Sequence, residues 1–180
     1  MKVAWGITGA GDKLLETFEI MRDIQQDKPF EIEVFLSKSG LLVSKYYKIY
    51  SELFDHFKKI WVEKDANTPF LAGRLQLKEF KCLIIAPATS NTIAKVAVGI
   101  SDTLLTNAII QGIKGNIPVY ILPTDLIEGE TSTILPSGKE LRLRVRKEDV
   151  LNVLKLKDME GIKIIKDPSN IFEIIKKLDK

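Results

Sequence analysis

Cysteine and histidine are nearly missing from this sequence, which holds one of each, Cys82 and His56, in 180 residues. A lone cysteine cannot pair within the chain, and Cys82 stands in an apolar run, so it reads as an inert packed thiol and not a nucleophile. No metal site is expected. No apolar stretch approaches the roughly 20 residues that span a bilayer, and the first residues run straight into a short strand without a secretory leader. A cytoplasmic protein with no membrane partner is therefore expected. Charge of one sign is scarce as well: 27 Lys and Arg against 24 Asp and Glu leave a net charge of +3. These charges are mostly interspersed, which describes a solvated surface and argues against a nucleic-acid partner. Residues 139–147 are the exception. There Arg142, Arg144 and Arg146 alternate with Leu141, Leu143 and Val145, the period of a half-exposed strand with one basic face. Such a face is either only solvated or steers an acidic partner.

What is present is alternation of strand and helix. Residues 2–8 form an apolar strand, followed by Gly9-Ala10-Gly11-Asp12 and an amphipathic helix over 13–26 whose apolar face includes Leu14, Phe18 and Met21. Residues 31–36 form a second strand, ending in Ser37-Lys38-Ser39-Gly40. Strand, glycine turn, helix and strand require a right-handed crossover and hence parallel pairing. Residues 41–57 repeat Tyr46, Tyr47, Tyr50, Leu53, Phe54 and Phe57 at helical spacing, as core or subunit contact. A short strand at 59–63 and a helix over 68–80, opened by Pro69, come next. A strand at 82–86 leads to a polar loop, helices over 93–98 and 102–112, and a strand at 117–122. Beyond Pro123 the pattern loosens into turns at 124–130 and 135–139. The arginine strand, a helix over 147–157, a strand at 162–165 and a helix over 167–178 close the chain. Without internal repeat or linker, 1–180 reads as one domain, large enough to bury about 70% of its unfolded surface. The expected fold class is α/β, a doubly wound and mainly parallel sheet over 1–122 with a C-terminal extension, a hairpin-like segment and terminal helices, over 123–180.

Such sheets bind ligands at their carboxyl edge, and three strand ends bring polar residues there. Gly9, Ala10 and Gly11 allow a tight turn and a close backbone approach, with unpaired helix N–H groups beyond them. The dinucleotide fingerprint is incomplete, because Leu14 stands at its last glycine, so one phosphate suits the loop better than two. Ser37 and Lys38 favour phosphate or ribityl oxygens where a dinucleotide site carries an acid; a plain helix cap with a solvated lysine is the alternative. Pro87, Thr89, Ser90, Asn91 and Thr92 end the fourth strand with small hydroxyls and an amide. These suit a flat polar heterocycle or a phosphate better than a metal, or else they only cap a helix.

The run PATSNTIAKVAVGISDTLLTNA resembles the PASANT-type segment of the homo-oligomeric flavin-containing cysteine decarboxylase superfamily, with A-K-x-A-x-G-x-x-D-x-L-L-T matched by residues 94–106. GITGAG and FLSKSG match its other loops in order and spacing, so the resemblance covers residues 1–122. It implies a Rossmann-like flavoprotein fold, FMN in a groove shared between subunits of a trimer or larger assembly, and no metal. It also implies that Gly9, Ala10 and Gly11 with Ser37 hold the phosphate end, while Thr89, Ser90, Asn91 and Thr92 meet the flavin and ribityl chain; Lys38 and Pro87 complete the expected cofactor-binding set. Asp102 then serves as a cap for the following helix.

The decarboxylases carry a catalytic histidine before the strand that leads into this loop, and a P-x-M-N-x-x-M-W clamp after the next strand. Here the first region reads Pro69-Phe70-Leu71-Ala72-Gly73-Arg74-Leu75, and Pro123-Thr124-Asp125 replaces the clamp. The lone His56 reads as a surface or core residue. Decarboxylation is disfavoured, and KVAWGITGAG, ETFEIM and ILPSGKELRLRVRKEDV are closer to the archaeoflavoprotein branch and its relative, dihydromethanopterin reductase. That branch implies an FMN flavoprotein that relays electrons from a ferredoxin-like donor, with no protein residue as acid, base or nucleophile. The alternative is an FMN-dependent reductase holding a dihydropterin near Trp5, Tyr120 or the segment after Pro123. A ligand-binding protein with a structural flavin is the third reading. Arg74 and Asp125 are candidates for the rim of the pocket, and the basic strand for docking an acidic donor.

Overall fold

The computed structural model describes residues 1–27 and 30–178. Its main sheet has six strands, in chain order β1 (Lys2–Ile7), β2 (Glu31–Leu36), β3 (Lys59–Val62), β4 (Cys82–Ala88), β5 (Val119–Pro123) and, after the hairpin described below, β8 (Ile162–Ile164). All pairings are parallel, in the order β3-β2-β1-β4-β5-β8. This is the doubly wound Rossmann-like arrangement expected from the alternation. Near-continuous apolar runs build β1, β2 and β4, because helices cover both faces. On one face Val3, Trp5 and Ile7 pack with Leu14 and Phe18 of α1 (Leu14–Gln26), Leu53 of α3 (Ile49–His56) and Ile171 of α8 (Asn170–Leu178). On the other, Ala4, Leu83 and Ile85 pack with α4 (Leu71–Gln76), α5 (Ser90–Ala97), α6 (Leu104–Lys114) and α7 (Lys147–Lys157).

Several boundaries differ from the sequence expectation. The span 41–57 is two helices, α2 (Lys38–Tyr46) and α3, separated at Lys48, whose φ of 63° leaves the helical region. The helix expected over 68–80 contracts to α4 and stops before Lys78, another residue of positive φ. β4 runs on through Pro87 to Ala88, and α5 begins at Ser90, so Ser90, Asn91 and Thr92 form a first helical turn and not a loop. Asp102 does not cap α6. Thr103 does, in a reciprocal capping box with Thr106, while Asp102 takes the Lys95 ammonium at 2.8 Å.

After Pro123 the structure is more ordered than its composition suggests. β6 (Gly129–Ile134), expected as turn and irregular chain, pairs antiparallel with β7 (Glu140–Val145) as the hairpin of the C-terminal extension, apart from the main sheet. β8 then returns to the main sheet as its edge strand beside β5.

Candidate functional site

The strand order reverses between the parallel neighbours β1 and β4, and the chain leaves them toward opposite sides, which opens a crevice at their carboxyl ends. Steric permissiveness sets the crevice walls. A β-carbon on Gly9 would lie 2.7 Å from the Ser39 β-carbon, one on Gly11 would lie 2.5 Å from the Tyr47 hydroxyl, and one on Gly40 would strike the Ile7 carbonyl. Glycine at these positions lets the β1 loop lie directly on α2. Thr8 joins the first loop to the third: its buried hydroxyl donates to the Pro87 carbonyl at 2.7 Å and accepts from the Thr89 amide at 3.0 Å.

Two adjoining lobes occupy the crevice, and both border Gly9, Thr89 and Asn91. The polar lobe, about 460 Å³, is lined by Ser37, Lys38, Ser39, Thr92 and Lys95. Ser37 and Thr89 act as helix caps, their hydroxyl oxygens accepting from the Gly40 amide at 2.9 Å and the Thr92 amide at 3.2 Å. For those two hydroxyls the capping alternative describes what they do. First-turn amides lack intrahelical acceptors, and those of Ser39, Ser90 and Asn91, residues that line the crevice, find no acceptor among the described residues. The Asn91 carboxamide, Ser39 hydroxyl and Lys38 ammonium make no hydrogen bond among the described residues. The Lys38 amide is committed elsewhere: it donates to Glu63 at 2.9 Å, and the other Glu63 oxygen accepts from the Leu104 amide at 2.9 Å. Glu63 therefore neutralises two helix N-termini from inside. Its sequence signal was an acid directly after a strand, which nothing else distinguished.

The second lobe, about 480 Å³, is aromatic and apolar, with Tyr46, Tyr47 and Val43 on one wall. The hairpin roofs it with Leu141 and Leu143, which stand opposite Thr133 and Thr131 on one face. Ala10, Gly11, Ser90, Asp12 and Asp125 line the remainder. Burial raises the Asp12 carboxyl above its ordinary value; Lys13 opposes the shift and the charge of Asp125 adds to it. Asp125 accepts from the Ser90 hydroxyl and from the Thr124 hydroxyl.

The three predicted loops thus meet, but not as the resemblance divides them. Ser37 and Lys38 border the polar lobe, Ala10 and Gly11 the aromatic one, and only Gly9 of the first loop borders both. Pro87 is buried in β4 and lines neither. Arg74 is not on this rim: its guanidinium makes two 2.9 Å bonds to buried Glu33 and faces Phe80, around a separate depression. Trp5 and Tyr120 are interior, Trp5 donating to the Ala86 carbonyl at 2.7 Å, so neither reaches a ligand in the crevice. His56 packs against Phe18, away from the crevice, and burial pushes the Cys82 thiol up to about 12. The basic strand is mixed in charge. Glu140 and Glu130 share the face of Arg142 and Arg144, and Arg146 lies beyond β7, bonded to Asp149. Tyr46, Tyr47, Asp12 and β6 were not predicted as site elements.

The family model described as Flavoprotein matches residues 1–179. An uncharacterized protein of Methanocaldococcus jannaschii is 46% identical, over 98% of this chain and 95% of the relative. Dihydromethanopterin reductase (acceptor) of the same organism is 30% identical, over 96% of this chain and 95% of its own. The crystal structure of DmrB from Burkholderia xenovorans in complex with FMN, described as a cubic protein cage for redox transfer, is 29% identical. It superposes with a TM-score of 0.84 over 99% of this chain and 97% of that one.

Proposed function

The chain belongs to the Flavoprotein family, and from that premise we propose that it binds FMN across the two lobes and acts as an FMN-dependent reductase. The observation that carries this reading is the pairing of a polar, donor-rich lobe with an aromatic one through Gly9, Thr89 and Asn91. A mononucleotide with a phosphate at one end and a flat ring at the other has the same two-part chemistry. The phosphate falls to the amides of Ser39 and Asn91 and to the Lys38 ammonium, since helix N-termini and ammonium groups together favour an anion. The ring falls to Tyr46, Tyr47, Leu141 and Leu143, with Ala10 and Gly11 close to it. When bound, the flavin supplies reversible two-electron chemistry, while the protein fixes its orientation and surroundings. The hairpin covers the ring lobe, and burial there raises the Asp12 carboxyl above its ordinary value.

Relatives named as dihydromethanopterin reductase favour a dihydropterin as the compound reduced. Asp12 and Asp125 suit the amino-bearing edge of such a heterocycle, because carboxylates accept paired N–H donors. The absence of a histidine at residues 69–75 supports reduction over decarboxylation. A ferredoxin-like protein is the proposed electron source. Self-association is proposed from the cage assembly described for DmrB, and Leu42 and Tyr46 give α2 an exposed apolar surface beside the ring lobe. Reconstitution with FMN followed by anaerobic reduction tests these statements. The expected result is a bound-flavin spectrum, reduction by ferredoxin, and reoxidation on adding dihydromethanopterin. Failure to bind FMN ends the cofactor reading. Bound flavin that the pterin leaves reduced ends the reductase reading and leaves electron relay.

A further inference from the structure

The largest depression among those described lies away from the crevice, beside the open edge of β8. It measures about 660 Å³. Its apolar floor is formed by Val150, Val153 and Leu154 of α7 with Ile162 and Ile164 of β8, and its charged residues are Lys157, Lys163 and Lys166, with no carboxylate among the described lining. Lys157 and Lys166 form no hydrogen bond or ion pair among the described residues; Lys163 lies over the Tyr120 ring at 5.5 Å.

The backbone beside this depression is equally one-sided. The Val119 amide donates to the Gly161 carbonyl at 2.9 Å and the Ile165 amide to the Ile121 carbonyl at 2.7 Å, so the odd-numbered residues here face β5. In a parallel ladder the alternate residues turn their groups to the other side. The Ile162 amide is taken by the Met159 carbonyl at 3.2 Å. That leaves the Ile162 carbonyl and the Ile164 amide and carbonyl directed outward, with no strand beyond β8 among the described residues. Ile162 and Ile164 meanwhile direct their side chains to the α7 face, into the depression.

We propose that this edge is a docking site for an extended, acidic segment of another protein, which pairs with β8, sets alternate apolar side chains on α7 and offers carboxylates to the three lysines. An added strand takes affinity from main-chain bonds and specificity from alternate side chains. Charge decides the occupant. Of the strands a second copy could offer, β8 repeats Lys163 and β3 is flanked by Lys58 and Lys64, while the hairpin carries Glu130 and Glu140 beside Arg142 and Arg144, so none is a uniformly acidic strand. Lysine on a short edge strand also discourages pairing with neutral strands, which narrows the fit to acidic ones. The proposal is independent of the flavin reading.

The test uses the intact protein with two fluorescein-labelled decapeptides, one alternating valine with glutamate and the other valine with lysine. Anisotropy should show the acidic peptide binding at least tenfold more tightly, and the combined change Lys157→Glu, Lys163→Glu and Lys166→Glu should reverse that preference. Hydrogen exchange at the Ile164 amide should slow when the acidic peptide is present. Ile164→Pro, which removes the outward donor while leaving β5 pairing intact, should weaken binding, and Lys163→Glu serves if that variant does not fold. Equal affinity for both peptides overturns the proposal. So does an Ile164 amide already protected without peptide in a self-associated protein, which would mean that a second copy covers the edge.

Discussion

Individual side chains in the crevice divide into those that build it and those left to bind. Ser37 and Thr89 carry the residue types that suggest ligand contact, yet their hydroxyls are held by the first turns of α2 and α5. Lys38 and Asn91 keep their polar ends free of hydrogen bonds within the described chain. Bonds to a charged group contribute about 1.5–3 kcal/mol, so Lys38→Ala and Asn91→Ala should each weaken FMN binding about tenfold or more, read by quenching of flavin fluorescence, with little change in melting temperature. Thr8 should behave differently. Replacing it by valine removes both hydroxyl bonds, to Pro87 and from Thr89; the Pro87 carbonyl keeps only the 3.4 Å bond from the Thr8 amide, and the Thr89 amide is left unpaired. A loss of about 1–3 kcal/mol is expected in urea unfolding, together with weaker FMN binding.

At the scale of elements, the parallel strands were legible because each is an apolar run closed by glycine, serine or proline, and the alternation with helices fixed the layer order. Other features were hidden for particular reasons. β6 reads Gly-Glu-Thr-Ser-Thr-Ile, a polar strand whose only apolar support comes from its partner, so no apolar signal marked it. Tyr46 and Tyr47 look like core residues in a long helix, and only the break at Lys48 turns that end of α2 toward the crevice. The hairpin's leucines acquire a role only once it folds over the ring lobe. Leu141→Asp with Leu143→Asp should therefore lower FMN affinity at least fivefold and expose the flavin to iodide quenching, while urea stability stays nearly unchanged because the hairpin lies outside both cores. An unchanged affinity would show that the hairpin is not a roof.

Across the whole molecule, one buried acid ties together parts that the sequence shows only as separate segments. Glu33, in the middle of β2, has a fully buried side chain, accepts two bonds from Arg74 of α4, and is reached by Lys2 of β1 at 3.6 Å, Lys59 of β3 at 3.1 Å and the Trp61 indole at 3.0 Å. A glutamate in an apolar strand gives no hint of partners that lie 41 residues away, as Arg74 does, and Arg74 looked like a ligand contact for the same reason. Burial alone would raise the Glu33 carboxyl, but the bonds from Arg74, Lys59 and Trp61 outweigh it and bring it to about 2, below the ordinary 4.5. The folded-state value is depressed, so this carboxylate stabilises the protein fully above about pH 4.5. Its contribution is lost as the pH falls from there toward 2. Urea midpoints measured from pH 7 to pH 2.5 should fall below pH 4.5 in the native protein, and that part of the fall should be missing in Glu33→Gln. At neutral pH Glu33→Gln takes the buried carboxylate away from Arg74, whose partly exposed guanidinium keeps Glu79 at 2.8 Å, so a cost of about 1–3 kcal/mol is expected. The double variant Glu33→Met with Arg74→Met should recover much of that loss, because an apolar pair can replace a buried ion pair. If the double variant is no more stable than Glu33→Gln alone, the lysines and not the guanidinium hold β2 to its neighbours.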